Sequence, residues 1–113
     1  MPIDSDGEPC QPGGVSRRLD AEEISRQLAD LPGWHGDGEA IRRTYAFPEF
    51  LAGILAVDEI ALLAEAMDHH PDLDIRWRSL HVLLTTHDAG GVTQLDIELA
   101  HQVHDAATAL GAT

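Results

Sequence analysis

Residues Glu65–Asp96 read E-A-M-D-H-H-P-D-L-D-I-R-W-R-S-L-H-V-L-L-T-T-H-D-A-G-G-V-T-Q-L-D. One helix ends in this stretch, two strands follow, and another helix begins. Pro71 disfavours helical geometry at His70, so the preceding helix is expected to stop by His69. Ile75 to Trp77 and Leu80 to Thr86 read as strands. In the longer run Leu80, Val82 and Leu84 point one way, and His81, Leu83, Thr85 and His87 the other. Gly90-Gly91 turns the chain, and Thr93 caps the last helix with Asp96 at its third position. The stretch holds four of the seven histidines. Imidazole has an unperturbed pKa of about 6.5, closest to neutrality among side chains, so a proton-moving site is indicated here.

Upstream, Phe47-Pro48-Glu49 opens a helix that runs to about Met67, with proline in the first turn. Phe50, Leu51, Ile54, Leu55, Val57, Ile60, Leu62, Leu63 and Met67 surround nearly the whole circumference, broken by Glu49, Asp58, Glu59 and Glu65. Such a helix is buried on more than one side. One face is expected to meet the sheet and another a second subunit. Before it, Gly36-Asp37-Gly38 signals a turn between two extended arms. Ile41, Arg43, Tyr45 and Phe47 share one side of the second arm, and Arg42, Thr44 and Ala46 the other. Earlier still, Asp20 and Glu23 form a capping box, with Leu19 as a staple residue. Ile24, Leu28 and Leu31 repeat at helical spacing up to Pro32-Gly33. Downstream, Leu95, Leu99, Val103, Ala106 and Leu110 stripe the last helix. The order is α-β-β-α-β-β-α, which predicts an α+β fold: a four-stranded antiparallel sheet with helices packed on one face.

The 113 residues suit one domain, residues 16–113, preceded by a Gly-, Pro- and acid-rich tail, residues 1–15, with no apolar periodicity. Twenty acidic residues against seven arginines and no lysine give a net charge of −13. That surface repels phosphate backbones, which argues against nucleic-acid binding. No apolar run approaches the roughly 20 residues that span a bilayer. The N-terminus carries no apolar signal core, so a cytoplasmic location is expected. Cys10 stands alone, has no partner for an internal disulfide and has nothing nearby to activate it.

His69 and His70 admit three readings. A cation near a helix C-terminus favours the helix dipole, which accounts for one histidine more readily than two. A metal site with His87 and Asp68, Asp72 or Asp88 is conceivable. However, adjacent residues at a helix end diverge, and no established ligand spacing accompanies them. The third reading is general acid–base catalysis by two or three imidazoles. His81 shares the His87 strand face and reads mainly as a partly buried strand residue. His101 and His104 fall opposite the apolar stripe and read as solvated, while His35 beside the turn is uninformative. Trp34, Tyr45 and Trp77 suit a core. On regular strands Trp77 also shares the His81/His87 parity and so walls a flat pocket.

Glu65-x-x-x-His69-His70-Pro71, then Trp77, Thr86-His87 and Gly91-x-Thr93-x-x-Asp96, together resemble the signature of pterin-4a-carbinolamine dehydratases. A weaker likeness runs from Asp20 through Trp34 and Phe47 to the last helix. The resemblance implies dehydration of 4a-hydroxytetrahydropterin to quinonoid dihydropterin, a step in recycling pterin after aromatic amino acid hydroxylation. Pterin is then the substrate, and neither cofactor nor metal is called for. By the family pattern His69 and His87 are the acid–base pair and His70 positions substrate. Glu65 and Asp96 orient the site, and Trp34 and Trp77 join the substrate-binding candidates. Leu73 departs from the aromatic that family members often carry there. The family also implies a homodimer or homotetramer through helix 49–67. It leaves an alternative as well, a protein-interaction module without essential catalysis.

Overall fold

The computed structural model describes residues 17–113. The expected tail, residues 1–15, and Cys10 lie outside the described residues. The elements are α1 (Ala21–Leu28), β1 (His35–Gly36), β2 (Ile41–Ala46), α2 (Phe50–Met67), β3 (Asp72–Arg76), β4 (Ser79–Leu84) and α3 (Gln94–Ala109), with a short 3₁₀ turn at His87–Ala89. The strands form one antiparallel sheet in the order β1-β2-β4-β3. Hairpins β1–β2 and β3–β4 are joined through their second strands, with Ile41 opposite Leu84 and Tyr45 opposite Leu80.

Alternation along the strands sets the two faces of the sheet. Ile41, Tyr45, Leu80, Val82 and Leu84 are buried under the helices, while Arg42, Thr44, His81, Asp72 and Asp74 face outward. α1 begins with the expected capping box: Asp20 accepts from the Glu23 amide, and Glu23 accepts from the Asp20 amide. The hydrogen bond from Arg17, reinforced by the Asp20 amide, pulls the Glu23 carboxyl down to about 2. Leu19 and Ile24 join the same core. α1 stops at Leu28, ahead of Pro32, and single turns closed by the Leu31 and Trp34 amides carry the chain onward.

α2 buries a narrow line of small residues, Gly53, Ala56 and Ala64, together with Ile60. A methyl group at Gly53 would lie 3.0 Å from Ile75 Cδ1, so the missing side chain lets helix and sheet approach. Phe50, Leu51, Leu55 and Leu62 remain exposed on the opposite side. In α3 the buried line is Ile97, Leu99, Ala100, Val103 and Ala107. Ala106 and Leu110, expected in that line, are half-buried at its edge.

Two strand boundaries differ from expectation. β3 begins at Asp72 and ends at Arg76, so Trp77 belongs to the two-residue turn Trp77-Arg78. β4 ends at Leu84, because Thr86 leaves the ladder to pair with Gly91. His87 therefore sits in the 3₁₀ turn and not on a strand, which breaks its supposed parity with His81.

Candidate active site

The site is built where α2 ends, at the start of α3. α2 closes at Met67, two residues before the proline rule requires, because Asp68 takes a left-handed conformation (φ 50°). The Asp68 amide donates to the Glu65 carbonyl, and the His69 amide to that of Ala64. This reversal sends the adjacent histidines apart. The His69 ring turns inward towards α3, and its Nε2 lies 2.6 Å from Asp96 Oδ1. The His70 ring stays in solvent, and its Nε2 lies 2.5 Å from Glu65 Oε2, one turn back on α2. Each histidine thus has its own carboxylate.

The two pairs differ in environment. Asp96 is fully buried and the His69 side chain nearly so, whereas the His70 and Glu65 side chains are 57% and 73% exposed. Water and salt screen the outer pair, so it contributes little to stability. The buried carboxylate is saturated with donors. Asp96 Oδ2 accepts from the Thr86 hydroxyl at 2.8 Å and from the Thr93 amide at 2.9 Å. Thr93 caps α3, its hydroxyl accepting from the Leu95 amide. Asp96 therefore both closes the capping box and holds the His69 ring.

Proton positions follow from this geometry. An ionised carboxylate only accepts, so Nε2 of His69 carries hydrogen whether the ring is neutral or charged. The remaining nitrogen, Nδ1, is the one that can exchange a proton. It has no hydrogen-bond partner among the described residues. His87 follows Thr86 directly and is exposed, and its ring likewise has no partner among the described residues. Its loop is closed tightly: the Thr86 amide donates to the Gly91 carbonyl at 3.0 Å and the Gly91 amide returns the bond at 3.2 Å. A side chain at Gly91 would collide with the Gly38 carbonyl and with Arg18, so only glycine fits.

The structure thus gathers His69, Asp96, Glu65 and His70 around the α2 terminus, with His87 one residue beyond Thr86. It separates the two tryptophans from them. Trp77 is 87% exposed at the tip of the β3–β4 hairpin. The ladder from Asp72 to Arg76 alone spans about 13 Å, at roughly 3.3 Å per residue, and Trp77 lies past its far end from Pro71. Trp34 is a core residue whose indole N–H donates to the Tyr45 hydroxyl at 2.9 Å. Leu73 packs against the core from β3. His81 is exposed and bonds Thr44 on the outer sheet face, not partly buried as expected. His101 is exposed as expected, but His104 is half-buried, with Nδ1 2.9 Å from the Tyr45 hydroxyl. Burial, and then the Arg43 guanidinium, lower the His104 pKa below its ordinary value, and burial raises that of Tyr45.

Sequence reasoning missed Thr86 and Thr93 as partners of Asp96. The spacing of Thr93 to Asp96 signals a cap, but nothing local reveals that Thr86 shares the same carboxylate. Among the described residues no group of three His, Cys, Asp or Glu side chains is arranged to hold a metal ion, and no helix is long and apolar enough to cross a membrane.

The family described as Pterin 4 alpha carbinolamine dehydratase matches residues 17–106. A protein of Roseiflexus sp. (strain RS-1), provisionally named pterin-4-alpha-carbinolamine dehydratase, is 50% identical over 91 residues, which cover 80% of this chain and 98% of that one. A relative from Mycolicibacterium smegmatis (strain ATCC 700084 / mc(2)155), given the same provisional name, is 45% identical over 86 residues, covering 76% and 92%. Among solved structures, a transcriptional coactivator/pterin dehydratase from Brucella melitensis superposes with a TM-score of 0.77 at 38% identity, covering 80% of this chain and 99% of that one. A pterin dehydratase-like protein described as a RuBisCO assembly factor shares the fold at 19% identity and a TM-score of 0.55, covering 66% and 86%.

Proposed function

The chain belongs to the pterin-4a-carbinolamine dehydratase family, and from that membership we propose that it dehydrates 4a-hydroxytetrahydropterin by histidine acid–base catalysis. The observation that carries the reading is the buried His69–Asp96 pair, which commits Nε2 and leaves Nδ1 to exchange protons. The reaction removes one hydroxyl and one proton. An acid delivers a proton to the C4a hydroxyl, which departs as water, and a base takes the N5 proton as the carbon–nitrogen double bond forms. Two imidazoles suit these transfers near neutral pH. In this reading His69 and His87 exchange the protons. His70, held by Glu65, positions the substrate. Trp34 supports the site only through the core, and Trp77 is too distant to wall it within one chain. No redox cofactor or metal takes part, so activity is expected to survive exhaustive chelation. Recycling of pterin for an aromatic amino acid hydroxylase in the cytoplasm is the physiological setting that this chemistry suits.

Steady-state kinetics on generated carbinolamine test the proposal. Alanine at His69 or His87 is expected to lower kcat by up to the order of 10²–10⁴ typical of acid–base groups. The double variant is expected to approach the uncatalysed rate, while His70→Ala raises KM more than it lowers kcat. A folded His69/His87 double variant with near-wild-type turnover sinks the reading. A second reading, an interaction module, is favoured by the exposed apolar residues of α2 and by the coactivator description of the Brucella relative. The same α2 surface supports a homodimer or homotetramer.

A further inference from the structure

We propose that Thr86 is a positioning residue that couples the two proton-exchanging histidines; the inference rests on the dehydratase reading and extends it. The hydrogen-bond order in the buried cluster has one solution. Thr86 owns a single hydroxyl proton. Asp96 accepts only, so that proton goes to Asp96 Oδ2 at 2.8 Å. The 2.9 Å contact between the Thr86 and Thr93 hydroxyls must then run from Thr93 to Thr86. Thr93 Oγ1 in turn accepts from the Leu95 amide. Every donor in the chain has one place to go, and the donations converge on Asp96, whose Oδ1 accepts from Nε2–H of His69.

Thr86 stands at the join. Its hydroxyl fixes the carboxylate that fixes the His69 ring, while its main chain leads in one step to His87. The His87 backbone is therefore tied to the His69 ring through two contacts, of 2.6 and 2.8 Å, and one covalent step. The paired backbone bonds with Gly91 hold the Thr86 main chain in place. Valine would fill the same space, yet it would leave one Oδ2 acceptor position empty and the Thr93 hydroxyl without an acceptor. Asp96 could then rotate, and the constraint on the His69 tautomer and ring angle would be relaxed.

The test compares Thr86→Val with Thr86→Ser in the full chain, with circular dichroism as the folding control. Thr86→Ala replaces the valine variant if that one does not fold. Two readouts are taken: the tautomer of His69 by ¹⁵N NMR of histidine-labelled protein, and kcat and KM for carbinolamine. We expect wild type and Thr86→Ser to hold His69 as the single Nε2–H tautomer, and Thr86→Val to show a mixture. Turnover of the valine variant is expected to fall roughly ten- to a hundredfold, the loss seen when a partner behind a metal-bound histidine is removed. KM stays close to wild type, and serine restores most of the rate. A folded valine variant that keeps one tautomer, or keeps full turnover, overturns the proposal, as does a serine variant that fails to recover. If wild-type protein has no dehydratase activity but the tautomer responds as described, the positioning of His69 by Thr86 stands and the dehydratase reading falls.

Discussion

At the scale of single residues, chemistry here is decided by which atom of each side chain is already committed. His69 and His70 are neighbours with the same side chain, yet one is sealed against Asp96 and the other stands in water beside Glu65. Asp96→Asn tests what the buried carboxylate does. An amide can offer a donor to Nε2, which would move the ring hydrogen to Nδ1 and remove the exchangeable lone pair there. The expected result is a fall in kcat of roughly 10²-fold or more with little change in KM, the behaviour of a misassigned tautomer behind a catalytic histidine. Glu65→Gln, in an exposed and screened pair, is expected to lower kcat several-fold at most. Steady-state kinetics on the two variants check this ordering, and an Asp96→Asn protein as active as wild type contradicts it. His69, His70 and His87 stood out in the sequence as imidazoles within one stretch, whereas Glu65 and Asp96 entered as candidates only through the family resemblance. The role of Thr86 was not legible there, since it depends on a side chain ten residues away reaching the same oxygen.

At the scale of elements, periodicity marked out the helices and strands, while the exact ends turned on single backbone conformations that periodicity does not register. Left-handed Asp68 ends α2 early, and Trp77 with φ 54° takes a turn position that usually favours glycine or asparagine. Those two residues moved His69 inward and took Trp77 off its strand. Asp68→Gly is expected to preserve or raise stability, whereas Asp68→Val should cost about 1–2 kcal/mol, because a β-branched side chain tolerates the left-handed region worse than aspartate does. Urea unfolding of the two variants measures the difference, and equal midpoints would mean that the turn does not govern the helix end. The contact between α3 and β2 through His104 and Tyr45 makes a second prediction. Burial and Arg43 depress the folded pKa of His104. As pH falls below the unfolded value, about 6.5, the unfolded chain takes up the proton first. The stabilisation is thus complete above that pH and is lost on acidification towards the depressed value. Urea midpoints at pH 7.5 and 5.5 are expected to drop further for wild type than for His104→Gln.

At the scale of the whole molecule, the described chain has a finished side and an unfinished one. The inner sheet face, α1 and α3 enclose a continuous core, while α2 turns Phe50, Leu51, Leu55 and Leu62 outward, with Leu62 68% exposed. The groove between α2 and α3, lined by Leu55, Leu63, Ala106 and Leu110, continues that apolar strip, and Asp58, Glu59 and Asp105 rim it. An all-round apolar helix in a small domain already foretold a face without a partner in the chain, but the fold alone does not choose what covers it. A second copy fits the single repeated surface, because Leu51, Leu55 and Leu62 lie on one helical face and can meet themselves across a two-fold axis. The acidic rim, on a chain of net charge −13, would then be kept apart by the apolar strip at the centre. Sedimentation equilibrium at micromolar concentration is expected to give a dimer or tetramer. Replacing Leu55 and Leu62 together by glutamate places charge in the middle of the contact and should yield monomers that retain helical circular dichroism. Because His69, Asp96 and Thr86 are all drawn from one chain, those monomers are expected to keep the His69 tautomer. A wild-type protein that sediments as a monomer would instead leave the α2 strip for a different protein.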